Sequence, residues 1–337
     1  MPELRICIVG CGRAGMIHAR HFHSVVPGAG VVALADPVPE TLAAAAREMP
    51  AAAAFADYRQ AIAAKGVDAV VIATPTVFHK DIVLAAAAAG KHVFCEKPMA
   101  LNVPDCEAMI RAADAAGIVF QIGFMRRFDA GFQRARELLD SGDLGRVMII
   151  KSTGRGPGGP GPWMWDLAKS NGIIAEVNSH DIDSLLWMTG SRPTRVYAEA
   201  HNFKMTEART QFPDFYDNVV ATFRFENDAI GVVDGTCPAG YGYDARMEIL
   251  CEKGVIFIGS AKQHGVELIT IEGEVRGRAV PSWRTLFRDA YLAEARDFVE
   301  CAATGRAPRV TSRDGLLAVA GVVAVNESIR TGQPVTL

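Results

Sequence analysis

The chain has no apolar run near the ~18 residues needed to cross a bilayer, and its N-terminus lacks a basic stretch followed by a long apolar segment. The expectation is a cytoplasmic protein with no signal peptide and no membrane partner. An excess of one charge sign is also missing. Lys and Arg number 35 against 38 Asp and Glu, a net charge of −3, so no basic field draws in nucleic acid or an anionic surface. The seven cysteines include no C-x-x-C pair and are odd in number. That argues against a disulfide framework or a zinc site and for a reducing compartment. Cys7 and Cys95 lie in strand-like runs and read as small buried hydrophobes. His18, His21 and His23 are close together, but no carboxylate or cysteine is spaced to complete a metal site. They read as surface histidines, and no metal is expected. Internal repeats are absent.

What is present begins at the first strand. Leu4 to Val9 is a buried-type strand running into Gly10-Cys11-Gly12-Arg13-Ala14-Gly15, and a helix-like segment follows from Met16 to Val26. In a G-x-G-x-x-G of this setting, Gly10 permits a tight turn, Gly12 lets the backbone approach a pyrophosphate, and Gly15 lets helix and strand pack closely. The helix N–H groups then face the phosphates. Gly10, Gly12, Arg13, Ala14, Gly15 and Met16 are the candidate cofactor contacts. A second apolar strand, Val31 to Ala35, ends in Asp36, about 20 residues past Gly15, the spacing of the acid that binds a ribose diol. A carboxylate there accepts from both ribose hydroxyls and repels a 2′-phosphate. With Pro37 next and no Arg or Lys between Asp36 and Arg47, NAD is favoured over NADP.

At 337 residues the chain is long enough for two domains. Strands and helices alternate over the first ~120 residues, at the period of a doubly wound parallel sheet. Val67–Ala73 is a strand broken by Thr74-Pro75, and His92–Cys95 is another, ending at Glu96-Lys97-Pro98. Asp57 and Asn102 are expected N-caps. The Ala runs at 43–46, 51–54 and 85–89 read as helix filler. After Gly123 the pattern changes. Strand-like segments follow one another through short turns (195–200, 218–225, 229–236, 245–251, 255–259, 266–271), which suggests an antiparallel or mixed sheet. Helices over 286–304 and from Ser312, as cap, to Arg330 close the chain, with Gly332 as stop. The expected architecture is α/β: an NAD-binding Rossmann domain over 1–122, then an α+β domain over 123–337, to which the resemblance described next gives substrate binding and oligomerisation.

Thr74-Pro75-x-x-x-His79, Ala89-Gly90-Lys91-His92-Val93 and Glu96-Lys97-Pro98 resemble the Gfo/Idh/MocA oxidoreductases. Gly123-Phe124-Met125-Arg126-Arg127-Phe128-Asp129 and Tyr241-Gly242-Tyr243-Asp244 resemble that family's inositol dehydrogenase branch. Ser179-His180-Asp181-Ile182-Asp183 resembles its catalytic helix start. The resemblance spans nearly the whole chain. It implies a Rossmann domain followed by a large, mostly antiparallel sheet, and homo-oligomers, dimers or tetramers, made by packing such sheets face to face.

The resemblance also implies site residues. Lys97, at a strand end, stabilises an alkoxide as the hydride leaves. Glu96 contacts the cofactor ribose or positions Lys97. Thr74, Pro75 and His79 match cofactor-side positions, with a helix cap as the alternative for His79. His180 is the general base, since imidazole titrates near neutral pH. Asp183 shares its helix face and binds neighbouring hydroxyls, whereas Asp181 points about 100° away and reads as structural. Arg126 reaches the substrate or nicotinamide, and Arg127 is structural. Tyr243, and less surely Tyr241, offers a hydroxyl to a sugar pocket or is a buried structural tyrosine. Trp163 and Trp165 stack on a sugar or serve packing and lid roles. Two departures stand out. Glu176 occupies the position four before the histidine where many members carry Asp, and Asn171-Gly172 replaces a frequent Gly-Gly.

The activity so implied is NAD-dependent oxidation of a secondary hydroxyl of a cyclic polyol or sugar, inositol-like, with Lys97, His180 and Glu176 catalytic. The alternatives are redox-assisted elimination on a glycoside and a non-catalytic NAD-binding sensor.

Overall fold

The computed structural model describes residues 3–272 and 275–337. The chain divides into two compact units: residues up to 128 with 289–319, and 129–288 with 320–337. The sequence pattern divides the chain once, at 122/123, with everything after it in the second domain. Residues 289–319 return to the first unit, because Phe298 and Val299 are buried in the same apolar cluster as Phe22 and Phe94.

The first unit runs β1 (Leu4–Val9), α1 (Arg13–Ser24), β2 (Ala29–Ala35), α2 (Pro39–Glu48), β3 (Ala53–Phe55), α3 (Tyr58–Ala63), β4 (Ala69–Ile72), α4 (His79–Ala88), β5 (His92–Glu96), α5 (Val103–Ala116) and β6 (Phe120–Gly123). Its six strands lie in the order β3-β2-β1-β4-β5-β6, all neighbours parallel. The strand order reverses between β1 and β4, the point where such sheets bind ligands outside their carboxyl ends. Ile6, Ile8, Val70, Val71 and Phe94 are fully buried, as a sheet covered on both faces requires. Asp57 caps α3 and Asn102 caps α5 through their side chains, as expected. One expectation fails at Ala51–Ala54: Ala53 and Ala54 pair with β2 as an edge strand instead of extending a helix, sheet pairing overriding propensity.

The second unit carries α6 (Ala130–Asp140), β7 (Val147–Arg155), α7 (Leu167–Ser170), α8 (Gly172–Glu176), α9 (Ser179–Thr189), β8 (Pro193–His201), α10 (Thr206–Gln211), β9 (Asn218–Phe225), β10 (Ile230–Thr236), β11 (Asp244–Cys251), β12 (Gly254–Ile258), β13 (Lys262–Ile269), β14 (Val275–Ala279) and α11 (Trp283–Leu286). The chain ends with α12 (Arg288–Thr304), α13 (Ser312–Thr331) and β15 (Val335–Thr336). Seven strands form one sheet in the order β12-β11-β7-β10-β9-β8-β15, antiparallel except for β7 with β10. Burial alternates along β8 and β9, so one face is covered and the other exposed. The helix expected over 286–304 is α12, which starts at Arg288; Leu286 ends the short α11 before it, with a break at Phe287. The expected cap of α13 shifts by one residue. Thr311 bonds reciprocally with Asp314, the hydroxyl accepting from the Asp314 N–H and the carboxylate from the Thr311 N–H, and Ser312 is the first helical residue.

Candidate functional site

Every candidate cofactor residue of the first unit lies at or just beyond a strand's carboxyl end. β1 delivers the phosphate loop, β2 Asp36, β4 Thr74 and β5 Glu96 and Lys97. The loop geometry fits a dinucleotide. Gly10 has φ +91°, and a Cβ there would lie 2.7 Å from the Ala73 carbonyl oxygen. A Cβ at Gly15 would lie 1.8 Å from the Gly10 oxygen, so strand and helix touch there through glycine alone. At Gly12, by contrast, nothing lies within 4 Å, which leaves the backbone open to close approach. Gly12 is also the N-cap of α1, with no side chain covering the helix end and no acid in its first turn. Arg13 is exposed and Ala14 half-buried. Met16 faces inward as a member of the apolar core, a packing position under the loop.

Asp36 is tied to the loop. Its carboxylate accepts from the backbone N–H of Cys11 at 2.8 Å and of Val38 at 2.9 Å, which fixes it at the mouth of β2. Thr74 is half-buried, and Pro75 is exposed. His79 opens α4 and is 1% exposed, with Nε2 2.9 Å from the Thr74 carbonyl and Nδ1 2.9 Å from the Pro98 carbonyl. Burial lowers its pKa against those contacts, and a neutral ring donates to one of the two carbonyls. Its imidazole lies between the turn after β4 and the turn after β5.

Lys97 is half-buried, and its backbone N–H donates to Glu96 Oε2 at 3.2 Å. The other carboxylate oxygen, Oε1, accepts from His18 Nε2 at 2.6 Å. Arg126, 1% exposed, is among the largest fully buried side chains. Arg127 pairs with Asp314 at 3.0 Å, the structural role expected of it.

In the second unit, α8 ends at the half-buried Glu176, and α9 begins three residues later at Ser179. His180 is 6% exposed and Asp183 fully buried on α9. Asp181 is anchored elsewhere. Its carboxylate accepts from Ser152 of β7 at 2.6 Å and from Asn178 Nδ2 at 2.8 Å, and Asn178 also donates to the Gly154 carbonyl at 2.9 Å. A Cβ at Gly154 would sit 1.9 Å from the Asp181 carboxylate, so α9 lies directly on β7 at that glycine. Asn171 and Gly172 both have left-handed backbone, φ 58° and 71°. Asn is the side chain that tolerates this conformation best, so Asn171 serves where a second glycine otherwise would.

Tyr243 is buried edge-on to Phe287 at 6.3 Å. Tyr241 is half exposed, and its hydroxyl donates to Asp244 at 2.7 Å within a group that includes Arg155 and Arg246. Trp165 donates to the Pro160 carbonyl at 3.1 Å and lies 6.5 Å from the Phe215 ring, while Trp163 is half exposed.

The main miss of the sequence reading is His18. It is not a surface histidine but 0% exposed, walled by Phe94 at 4.8 Å, Tyr291 at 5.7 Å and Phe22 at 6.4 Å. The signal was available: Gly15, His18, Ala19 and Phe22 follow the i, i+3, i+4, i+7 spacing of a buried helix face. His23 is exposed and His21 half-buried. Among the described residues no group of three or more His, Cys, Asp or Glu is arranged to hold a metal ion. No helix among them is long and apolar enough to cross a membrane.

Comparison with known proteins extends this geometry. Residues 4–124 match the Gfo/Idh/MocA oxidoreductase family with its NAD-binding Rossmann fold, and residues 132–257 match that family's C-terminal domain. The scyllo-inositol 2-dehydrogenase (NAD(+)) of Bacillus subtilis is 31% identical over 99% of this chain and 96% of its own length. The myo-inositol 2-dehydrogenase of Thermotoga maritima is also 31% identical, over 99% and 98%. The crystal structure of scyllo-inositol dehydrogenase from Lactobacillus casei with bound NAD(H) and scyllo-inositol superposes with a TM-score of 0.91 at 28% identity, covering 99% of each chain.

Proposed function

The chain belongs to the Gfo/Idh/MocA oxidoreductases, and from that premise we propose that it oxidises a secondary ring hydroxyl of an inositol-like polyol to a ketone, with NAD as acceptor. The observation that carries this reading is Lys97, half-buried at the carboxyl end of β5 and held through Glu96, in a chain similar over its whole length to named inositol dehydrogenases. Gly10, Gly12, Arg13, Ala14 and Gly15 would hold the pyrophosphate, with Met16 packed beneath. Asp36 would take the adenosine ribose hydroxyls, and Thr74, Pro75 and His79 would line the cofactor side. When bound, NAD supplies the hydride acceptor. His180 takes the hydroxyl proton as the carbinol C–H bond breaks. The Lys97 ammonium stabilises the negative charge that builds on that oxygen. Asp183, Arg126, Tyr243 and Trp165 bind and orient the remaining hydroxyls, and Glu176 orients His180 or a hydroxyl.

The exposed sheet face supports a homo-oligomer, dimer or tetramer. It carries Val220 and Ile230 on the adjacent strands β9 and β10, and Phe257, 71% exposed, on the edge strand β12.

The first test is NADH absorbance with NAD and a panel of inositols, hexoses and glycosides. A rise with myo- or scyllo-inositol is expected. Product release from a glycoside without net NADH would replace the proposal with redox elimination. Cofactor choice has its own check. Asp36→Ala is expected to narrow the kcat/KM preference for NAD over NADP by roughly tenfold or more, since ~1.4 kcal/mol of relieved repulsion suffices. It also frees the Cys11 and Val38 amides, so the NAD dissociation constant should rise as well. An unchanged preference would remove Asp36 from the ribose site.

A further inference from the structure

His18 lies in the helix that starts at the phosphate loop, yet its ring points away from any exposed surface. Phe22, Phe94 and Tyr291 surround it. A polar ring costs free energy in such a place unless it is hydrogen-bonded. The bond it makes, Nε2 to Glu96 Oε1 at 2.6 Å, is short and buried. Burial alone would raise the Glu96 carboxyl, but the bond and charge of His18, together with Lys97, outweigh it and hold the group below the usual range. Glu96 is therefore a carboxylate, and His18 Nε2–H is the donor.

That carboxylate has two ends with two tasks. Oε1 is held by α1, and Oε2 accepts the Lys97 backbone N–H. Gly123 of the neighbouring strand makes room for it: a Cβ there would come within 3.1 Å of the Glu96 carboxyl carbon and of Oε2. Glu96 thus fills the space that the missing side chain of Gly123 leaves beside β6, and its two hydrogen bonds hold it there. The turn carrying Lys97 is bonded to an acid that α1 anchors through His18.

We propose that His18 is a positioning residue that acts through Glu96 on Lys97, joining the helix of the phosphate loop to the turn of the catalytic lysine. This inference rests on the reading of Lys97 given above. A misplacement of a reacting group by about 1 Å can cost ~10² in rate, so releasing Glu96 should appear in turnover more than in binding.

The test uses the intact enzyme and two variants of different reach. The side-chain amide nitrogen of Gln falls near the imidazole Nε2, and that of Asn near Nδ1. His18→Gln therefore keeps a donor to Glu96, and His18→Asn does not. With folding checked by thermal unfolding, His18→Asn is expected to lower kcat at least about tenfold, with the NAD dissociation constant changed less than about threefold. His18→Gln should recover most of kcat. In a Lys97→Ala background the Asn substitution should cost little further, since both act on one step. Three results would overturn the proposal: a folded His18→Asn enzyme with kcat within twofold of wild type, equal losses in Asn and Gln, or full additivity with Lys97→Ala. If the Asn variant does not fold, His18→Gln decides alone, because a tenfold loss in that folded variant rejects the positioning role. A Lys97→Ala enzyme with normal turnover would sink the underlying reading itself, and is told apart by that single variant.

Discussion

If Lys97 and His180 act as proposed, Lys97→Ala and His180→Ala are each expected to lower kcat for inositol oxidation by at least ~10², the lower end of what a positioned acid–base or charge-stabilising group contributes. The two losses have different origins. Without His180 the hydroxyl proton has no resident acceptor as the C–H bond breaks. Without Lys97 the proton can still leave, but the alkoxide forms without its counter-charge. Because both groups serve one transition state, the double variant should lose far less than the product of the single losses. Neither change should disturb NAD binding much, since the phosphate loop and Asp36, which follow β1 and β2, are held by contacts of their own. Steady-state kinetics with an independent measurement of NAD affinity checks this. Near-normal turnover in either variant removes that residue from the mechanism.

Much of the fold was legible in the sequence because its signals are local. A strand, three glycines and an acid about 20 residues on specify the first βαβ unit within one short window. Asp57 and Asn102 act as caps through bonds two or three residues away. What escaped depends on distant partners. Ala53 and Ala54 have helix-forming side chains, and only the edge of β2 makes them a strand. β14 and β15 pair with β13 and β8 through few residues. Residues 289–319 join the first unit through Phe298 and Val299, whose partners lie almost two hundred residues or more earlier in the chain. His18 was missed for a different reason. Three histidines in six positions look like a polar surface, and helical periodicity, not residue type, separates the buried one from the exposed one. On the second unit, the helix bearing His180 was legible from its resemblance. The reason it sits where it does, Asp181 bonded to Ser152 and Asn178 over Gly154, is a tertiary contact between residues nearly 30 apart.

The second large effect concerns stability and pH. Glu294 of α12 is fully buried, and neither carboxyl oxygen has a hydrogen-bond partner among the described residues. Burial, with the neighbouring Glu96 and Asp297 carboxylates, pushes its pKa well above the ordinary carboxylate range. The folded protein therefore keeps a proton that the unfolded chain releases above about pH 4.3. Since native Glu294 binds more protons than unfolded Glu294, its contribution is fully present below that pH and declines as pH rises toward the folded-state pKa. The limiting slope is one proton, about 1.4 kcal/mol per pH unit. Glu294→Gln keeps the shape and removes the titration. Denaturant unfolding of wild type and variant from pH 5 to pH 8, followed through the transition of the unit containing α12, should show curves that diverge in favour of Gln as pH rises. Parallel curves would mean that Glu294 is ionised in the fold.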